Sequence, residues 1–416
     1  MIDLAPIHLV LGPGGAGTST VAAAGAVGVR RSSGRLAGSG RRGKTLVVSL
    51  DRFHVLSGIF GVFSVPGQPI PASQQVDLLE LDTLEMLADT WSTVRSALAA
   101  GALTGAAIPG SDDVLAGLDP EEILGMPGVE SLLALRRIRD EAASGKWSQV
   151  VVDTSGAVDP FELFRIPQMV ADTIERLWPR HRRLGAATDN TRIARVVAVL
   201  DALIRDCSDI DDLLFDSSGV SAHLVVGADD HGVLAARRYQ AVLQVMGLPL
   251  TSVLVNRMLP DVSVDVDVTS QWYARRIADQ RLCVEQLREI GGEAELICLP
   301  WLSDPIDSVL RMREMGVRLD SRPIGPVGPG AAEVARESGS GVDSVYRMRW
   351  RQSLPDPSGL KLGRSGDDLM VTVSGVRKRV RLPSVLRRCV VTGARWDDGF
   401  MTVRFRPDPE LWPSQS

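Results

Sequence analysis

Residues 12–20 read Gly-Pro-Gly-Gly-Ala-Gly-Thr-Ser-Thr, and they lie between two apolar runs, Ile7–Leu11 and Val21–Val29. This order predicts a buried strand, a tight glycine turn and the first turn of a helix. A turn of this kind aims backbone N–H groups and the positive end of the helix at an anion. The stretch therefore predicts a phosphate-binding loop in an α/β protein.

Two nucleotide-binding patterns fit the loop. Gly12, Gly17 and Ser19 match G-x-x-x-x-G-K-[ST], except that Thr18 stands at the lysine position. The dinucleotide pattern G-x-G-x-x-G also matches, and Asp51, after the next predicted strand, would then hold a ribose. A glycine turn without any ligand is a third interpretation. The loop alone does not decide among the three.

The composition bounds the class of protein. A length of 416 residues predicts two or three domains. With 44% hydrophobic and 23% charged residues the chain is typical of a globular protein, and its apolar runs are shorter than the about 18 residues that span a bilayer. The N-terminus lacks the basic region of a signal peptide, so we expect a cytoplasmic protein without an integral membrane segment.

Charge and metal-ligand spacing exclude further classes. Residues 341–416 carry 14 basic and 8 acidic side chains, whereas the first 340 residues carry 32 and 43. An acidic main body argues against a nucleic-acid partner, and the basic tail more simply complements that body. The four cysteines and five histidines show no metal-ligand spacing, which argues against a zinc site.

Apolar patterns alternate between strand and helix through residues 1–319. This alternation predicts a doubly wound, mostly parallel sheet whose ligand lies at the carboxyl ends of the strands. The polar, glycine-rich residues 30–43 predict a surface loop. The predicted strands after the loop cover 45–50, 76–81, 149–153, 222–226, 252–255 and 295–299, and the predicted helices cover 83–100, 127–143, 160–216 in pieces, 230–246, 271–290 and 304–316.

The pattern changes after residue 319. Residues 320–341 are rich in Pro, Gly, Ala and Ser and predict a linker. Residues 342–408 then predict a small all-β domain, with strands over 369–373, 377–382, 390–396 and 401–405 and turns at 374–375 and 397–399. We therefore expect three parts: an α/β domain, a linker and a β domain.

Together with several segments outside it, the loop resembles the ArsA family of ATPases, and the resemblance covers nearly the whole chain. The family loop reads G-K-G-G-x-G-K-T-T, and its first switch, S-T-D-P-A-H-S, is similar to residues 49–55, Ser-Leu-Asp-Arg-Phe-His-Val. Its second switch, V-V-V-D-T-A-P-T-G-H, is similar to residues 150–159, Val-Val-Val-Asp-Thr-Ser-Gly-Ala-Val-Asp. Residues 163–167 and 253–260 resemble the family's L-L-R-L-P and V-V-V-N-R-x-L-P, and residues 382–383 and 393–399 resemble its small-heat-shock-protein-like domain.

The resemblance favours a SIMIBI-like P-loop NTPase over a dehydrogenase, with a helical subdomain over about 83–145 and 160–216. It implies a site for ATP or ADP with Mg²⁺. Asp51 would orient the attacking water, Ser19 would bind Mg²⁺, and Asp153 would lie in the outer shell of the metal. The implied nucleotide-binding residues are Gly12, Gly14, Gly15, Ala16, Gly17, Thr18, Ser19, Thr20, Asn256 for adenine recognition, and Pro300 on the adenine side.

The chain departs from the family at the positions that act on the γ-phosphate. Pro13 and Thr18 replace two lysines, Val158 replaces a switch glycine, and Asp159 replaces a histidine. Losing one cation that acts on a transferring phosphoryl group costs about 3 kcal/mol or more. We therefore expect a weak or inactive ATPase that serves as a nucleotide-binding or scaffold subunit of a homodimer, or of a heterodimer with an active relative.

Two other functions remain open at this point. One is an active ATPase with altered phosphate contacts, in which arginines of the predicted loop over 30–43 would replace the lysines; it would couple hydrolysis to client or ion handling. The other is a binding module for a hydrophobic protein client on helices within 160–216. Arsenite binding by the cysteines is disfavoured, because they are widely separated in sequence.

Overall fold

The structure is a computed structural model. It describes residues 4–28, 43–102, 120–124, 128–156, 160–189, 191–215, 219–261, 268–320 and 325–412. Apart from Gly43, the predicted surface loop over 30–43 lies outside the described residues. The same holds for Val158 and Asp159 of the second switch.

The chain divides into two compact units, which are described separately. The first unit comprises the described residues of Met1–His8, Ala22–Val220 and Ile306–Arg313. The second unit comprises those of Leu9–Val21, Ser221–Pro305 and Glu314–Ser416. The glycine loop and Asn256 therefore belong to the second unit, and Asp51 and Asp153 belong to the first.

Strands and helices alternate through the α/β part, as the apolar patterns predict. The elements up to residue 215 are β1 (Ile7–Leu11), α1 (Thr18–Gly28), β2 (Lys44–Ser49), α2 (Val55–Phe60), β3 (Ile70–Pro71), β4 (Val76–Glu80), α3 (Thr83–Ala102), α4 (Pro120–Leu124), α5 (Val129–Ala143), β5 (Trp147–Asp153), α6 (Pro160–Leu177), α7 (Arg180–Asp189) and α8 (Thr191–Phe215). They are followed by β6 (Val220–Gly227), α9 (Asp230–Met246), β7 (Leu250–Met258), α10 (Val268–Gly291), β8 (Glu295–Pro300) and α11 (Val309–Glu314).

The first eight strands form one sheet in the order β3-β4-β2-β5-β1-β6-β7-β8. The pairs β2–β4, β2–β5, β6–β7 and β7–β8 are parallel, and β3–β4 is antiparallel. All five residues of β1 are buried, because a parallel strand is covered on both faces and therefore requires a continuous apolar run. The predicted α/β class with a doubly wound, mostly parallel sheet is confirmed.

Prolines set two helix boundaries. The break predicted at Trp178-Pro179 is confirmed, since α6 ends at Leu177 and α7 begins at Arg180. The helix predicted over 304–316 is shorter than expected and covers only Val309–Glu314. Pro305 disfavours helical backbone at Asp304, the residue at which the predicted helix begins.

Two antiparallel sheets form the C-terminal part. Their elements are β9 (Glu333–Ser338), β10 (Val345–Arg351), β11 (Lys361–Ser365), β12 (Asp368–Val373), β13 (Val376–Arg381), α12 (Ser384–Arg387), β14 (Cys389–Asp397) and β15 (Phe400–Pro407), with single 3-10 turns at Pro329–Ala331, Gly341–Asp343 and Pro357–Gly359. The strand orders are β14-β15-β10-β9 and β11-β12-β13.

The small all-β domain and its two hairpin turns are confirmed. Ser374 and Gly375 have φ of 50° and 84°, and Asp398 and Gly399 have φ of 49° and 74°, as two-residue hairpin turns require. The prediction missed β9, which lies within the predicted linker over 320–341 and pairs with β10. Because β9 is at the edge of its sheet and mostly solvent-accessible, its sequence lacks an apolar run.

The core of the β domain includes residues of α9. Ala241 and Val245 of this helix are buried in one apolar cluster with side chains of the β strands, among them Trp350, Val371 and Phe405. Gln352 is fully buried, and its Nε2 donates a hydrogen bond to the Ala241 carbonyl at 2.9 Å. The second unit therefore joins α9 and the β domain through a shared core.

Candidate functional site

The glycine loop joins β1 to α1 by a turn that only glycine adopts readily. Gly15 and Gly17 have φ of 81° and 86°, in the left-handed region. The Ala16 N–H donates to the Pro13 carbonyl at 3.2 Å, and the Val21 N–H donates to the Gly17 carbonyl at 3.0 Å. The loop thus closes on itself and leads directly into the first turn of α1.

Thr18 lies against the strand side of the loop. Its side chain is only 4% exposed. A Cβ on Gly12 would lie 2.6 Å from Thr18 Oγ1 and 2.7 Å from the Val225 carbonyl oxygen of β6. Gly12 therefore leaves the space that the Thr18 hydroxyl occupies. The lysine position of the family loop holds a short, neutral and buried side chain.

Asn256, near the end of β7, is brought to the loop although 240 positions separate it from Ala16. Its Nδ2 donates to the Ala16 carbonyl at 2.8 Å, and its Oδ1 accepts the Arg257 N–H at 2.9 Å. A Cβ on Gly17 would lie 2.5 Å from Asn256 Nδ2, so glycine is needed there for this contact. Asn256, which we predicted to recognise adenine, therefore already uses its amide in two hydrogen bonds within the protein.

Pro300 ends β8, in register with Met258 of β7. The next residue, Trp301, donates its backbone N–H to the Met258 carbonyl at 2.9 Å and keeps 58% of its surface exposed. Trp301 lies beside a cavity that the loop also borders, whereas Pro300 does not line it.

A cavity of about 600 Å³ borders the loop. Residues 13–16 line one part of it, residues 227–229, 231, 232, 234 and 235 around the start of α9 line another, and Asn256 and Trp301 also line it. Three arginines border the same space: Arg238 of α9, Arg257 of β7 and Arg276 of α10. Sequence analysis missed them because they come from three separate elements; the similarity of residues 253–260 to the family's V-V-V-N-R-x-L-P was a signal for Arg257 alone.

The first unit holds the two carboxylates predicted at strand ends. Parallel pairing of β2 with β5 places Ser49 opposite Asp153, and the Leu50 N–H donates to the Asp153 carbonyl at 3.2 Å. Asp153 is fully buried, and its Oδ1 accepts the Ser155 N–H at 3.1 Å. The end of β2 and the segment after β5 therefore run side by side.

Asp51 follows β2 in a turn that its own side chain supports. Its Oδ1 accepts the Phe53 N–H at 3.0 Å, and its N–H donates to Ser49 Oγ at 3.1 Å. A Cβ on Gly156 would lie 2.2 Å from Asp51 Cα, so Gly156 permits the close approach of the two switch segments. The structure thus brings together the ends of β2 and β5 within this unit, as the sheet prediction implies.

A contact between a half-exposed histidine and a buried carboxylate, which sequence analysis missed, supports the first switch segment, residues 49–55. His54 has left-handed backbone with φ of 54°, and its Nδ1 lies 3.0 Å from Glu80 Oε2. Glu80, the last residue of β4, is buried, and its Oε1 accepts the Ser57 N–H at 3.1 Å. One side chain therefore anchors both the switch segment and the start of α2.

Within the described ranges, no group of three or more His, Cys, Asp and Glu side chains is arranged to hold a metal ion. In that same part of the chain, no helix combines the length and the apolar character that crossing a bilayer requires.

Comparison with known proteins extends the resemblance over the whole chain. Residues 6–320 match the family model described as an anion-transporting ATPase of the ArsA type, and residues 343–405 match the HSP20-like domain found in ArsA. Protein Rv2184c of Mycobacterium tuberculosis is 36% identical over 99% of this chain and 98% of its own length.

Two further relatives span nearly full length. The uncharacterised protein SCO2128 of Streptomyces coelicolor is 31% identical over 97% of this chain and 98% of its own. A Chlorobaculum tepidum protein provisionally named an arsenical pump-driving ATPase is 24% identical over 95% of this chain and 94% of its own. The matched family models cover both the glycine-loop region and the C-terminal sheets, and the chain belongs to the ArsA family of ATPases, with that family's HSP20-like domain following the ATPase domain.

Proposed function

We propose that this protein binds ADP or ATP at residues 12–20, hydrolyses ATP at close to the uncatalysed rate, and acts as the nucleotide-binding subunit of a dimer. The observation that carries the proposal is the buried, neutral side chain of Thr18 at the lysine position. Removing one cation that acts on the phosphoryl group slows its transfer by about a hundredfold, and Pro13 removes a second.

The loop still suits a phosphate group. Its left-handed glycines at 15 and 17 and the start of α1 leave backbone N–H groups as donors for an anion. A bound ATP–Mg²⁺ complex would supply the transferable phosphoryl group, with Ser19 of the loop on its metal side. The roles of Asp153 beside the metal and of Asp51 beside the attacking water are implied by the family resemblance alone. Binding through the backbone therefore survives the changes that remove the lysines.

Phosphate release by the full-length chain tests the proposal. We expect release from the wild type, with ATP and Mg²⁺, to equal the buffer blank, while isothermal titration detects ADP binding. Thr18→Lys restores one cation and should raise ATP affinity roughly tenfold.

Gln271→Lys is the control, because it adds the same charge at an exposed position of α10 that lies outside residues 12–20 and off the cavity lining, and it should not raise affinity. Magnesium-dependent turnover by the wild type that Asp51→Asn abolishes would contradict the impaired-ATPase proposal. A wild type that binds no nucleotide would contradict the binding part.

Two exposed phenylalanines support the dimer. Phe53 and Phe63 flank α2 in the first unit, and they are 89% and 91% exposed. Exposed apolar patches are typical of protein interaction sites, and the two side chains lie ten positions apart, on either side of one short helix. We propose that they contact a second copy of this chain, next to the first switch segment.

Light scattering during size exclusion tests self-association. We expect a wild-type mass of twice the chain's 44.7 kDa, and a shift toward the monomer for Phe53→Ser/Phe63→Ser. Leu177→Ser is the control, because Leu177 is 81% exposed but belongs to α6. A wild type that stays monomeric with and without ADP would contradict the homodimer.

A further inference from the structure

We propose that Arg238, Arg257 and Arg276 replace the missing lysines, and that the cavity beside the glycine loop takes the phosphates of a nucleoside di- or triphosphate through these three side chains. The inference rests on the proposed nucleotide binding and adds the residues that supply the positive charge. It concerns one cavity of the second unit, which all three arginines line.

The cavity has the size and lining of a ligand site. Its volume of about 600 Å³ lies within the range of small-molecule pockets, about 300 to 1,000 Å³. Backbone of residues 13–16 forms one wall, so a ligand there meets the glycine loop directly. The arginines stand on the other walls, where they face the same space.

Arg257 lies close to the loop. Its Nη2 lies 3.9 Å from the position that a Cβ on Gly17 would take. Its backbone is held in place, because the Arg257 N–H donates to Asn256 Oδ1 while Asn256 Nδ2 holds the Ala16 carbonyl. The same amide thus contacts both the loop and the backbone of Arg257. The Arg257 guanidinium lies beside Gly17, the glycine that immediately precedes Thr18.

The three guanidinium groups are available to an anion. All three residues are exposed, and none of them forms an ion pair with a carboxylate in the described part of the chain. Asp229 is the acidic residue on the lining, and its carboxylate accepts the Gly232 N–H at 2.7 Å as the N-cap of α9. His231 also lines the cavity. The charge of the lining is therefore positive even with His231 neutral.

Arginine suits this task chemically. Its planar guanidinium can donate two parallel hydrogen bonds to a phosphate and stays charged at every physiological pH. Trp301 offers an exposed indole on the same lining, which a base can stack against. The combination of three cations and one aromatic ring favours a nucleotide over a bare phosphate ion.

Fluorescence titration of the full-length chain with a fluorescent ADP derivative tests the inference. The variants are Arg257→Gln, Arg238→Gln, Arg276→Gln and all three together. Arg237→Gln and Arg275→Gln are matched controls, because each is exposed, precedes a tested arginine on the same helix and does not line this cavity. We expect each cavity variant to weaken ADP binding roughly tenfold and each control to change it less than about twofold.

A second pair of probes separates charge from base recognition. Inorganic tripolyphosphate should compete with the ADP derivative for the wild type and lose this ability in the triple variant, whereas competition by adenosine should be unchanged. Arg257→Lys keeps the charge and should recover part of the affinity. The melting temperature of each variant should equal that of the wild type, because the three side chains are exposed.

The outcomes distinguish the two proposals. If the wild type binds ADP and the cavity variants bind it as tightly as the controls do, the arginine inference is wrong and nucleotide binding stands. If the wild type binds neither ADP nor tripolyphosphate, both proposals are wrong.

Discussion

At the scale of single residues, the loop contains two glycines with different requirements. Gly17 has φ of 86°, and a Cβ there would lie 2.5 Å from Asn256 Nδ2. Gly14 has its φ outside the left-handed region, and a Cβ there would meet no atom within 4 Å. Glycine is therefore required at position 17 by its backbone conformation and its close contact, whereas neither requirement applies at position 14.

We predict that Gly17→Ala lowers the free energy of unfolding by about 1 to 3 kcal/mol and abolishes the contact between Asn256 and the Ala16 carbonyl. Gly14→Ala should change stability by less than about 0.5 kcal/mol. Chemical denaturation of both variants measures the difference. Equal stability of the two would show that the loop does not need its left-handed backbone at 17.

At the scale of helices, one buried guanidinium joins α6, α7 and α8. Arg183 of α7 is 2% exposed; its Nη1 lies 3.0 Å from Glu175 Oε2 of α6, and its Nη2 lies 3.1 Å from Asp201 Oδ1 of α8. The Arg180 N–H, and then the Arg183 guanidinium, hold the pKa of Glu175 below its ordinary value of 4.5. The three helices thus share an electrostatic contact across the proline break.

We predict that Arg183→Met destabilises the protein by about 1 to 2 kcal/mol at pH 7, because it removes two ion pairs whose carboxylates are partly screened by solvent, together with a hydrogen bond to the Trp178 carbonyl. A carboxyl with a lowered pKa stabilises the fold above its unfolded pKa and loses this effect as the pH falls through its folded pKa. The difference between wild type and variant should therefore shrink below about pH 4. Urea denaturation from pH 3 to pH 7 measures it, and a difference that does not vary with pH would contradict the ion-pair explanation.

At the scale of the whole molecule, the HSP20-like domain and α9 share hydrogen bonds as well as a core. Gln352 Nε2 donates to the Ala241 and Ser353 carbonyls, and the Ser353 N–H donates to Gln244 Oε1 at 2.6 Å. Trp396 Nε1 donates to the Gln352 carbonyl at 2.7 Å. Since α9 also begins at the cavity wall, the domain supports the helix that borders the proposed nucleotide site.

We predict that Gln352→Ala reduces hydrogen-exchange protection in α9 and in β10, β14 and β15 together, with a loss of stability of about 1 to 3 kcal/mol. Lys361→Gln, on the exposed side of β11, is the control and should leave protection unchanged. Exchange measured by mass spectrometry on the full-length chain reports both regions at once. Protection lost in the β strands alone would show that the two parts are not coupled through Gln352.

Local patterns in the sequence predict much of this molecule. The strand–glycine loop–helix unit, the break at Pro179 and the hairpin turns at 374–375 and 397–399 follow from neighbouring residues, because buried parallel strands need apolar runs and positive φ needs glycine or a short polar residue. The predictions missed β9, β10 and β11. The edge strand β9 and the five-residue β11 carry too little apolar sequence to stand out, since one side of each faces solvent.

Neighbouring residues were enough to predict the α/β class and the glycine loop between β1 and α1, and they show that positions 13 and 18 lack lysine. The three-dimensional fold was needed to show that Thr18 is buried beside Gly12, that Asn256 holds the Ala16 carbonyl, and that arginines of α9, β7 and α10 line one cavity. Contacts of this kind join residues up to 240 positions apart. These contacts depend on the order of the strands and the positions of the helices. Because a local sequence pattern covers only neighbouring residues, it does not predict which distant side chains come together.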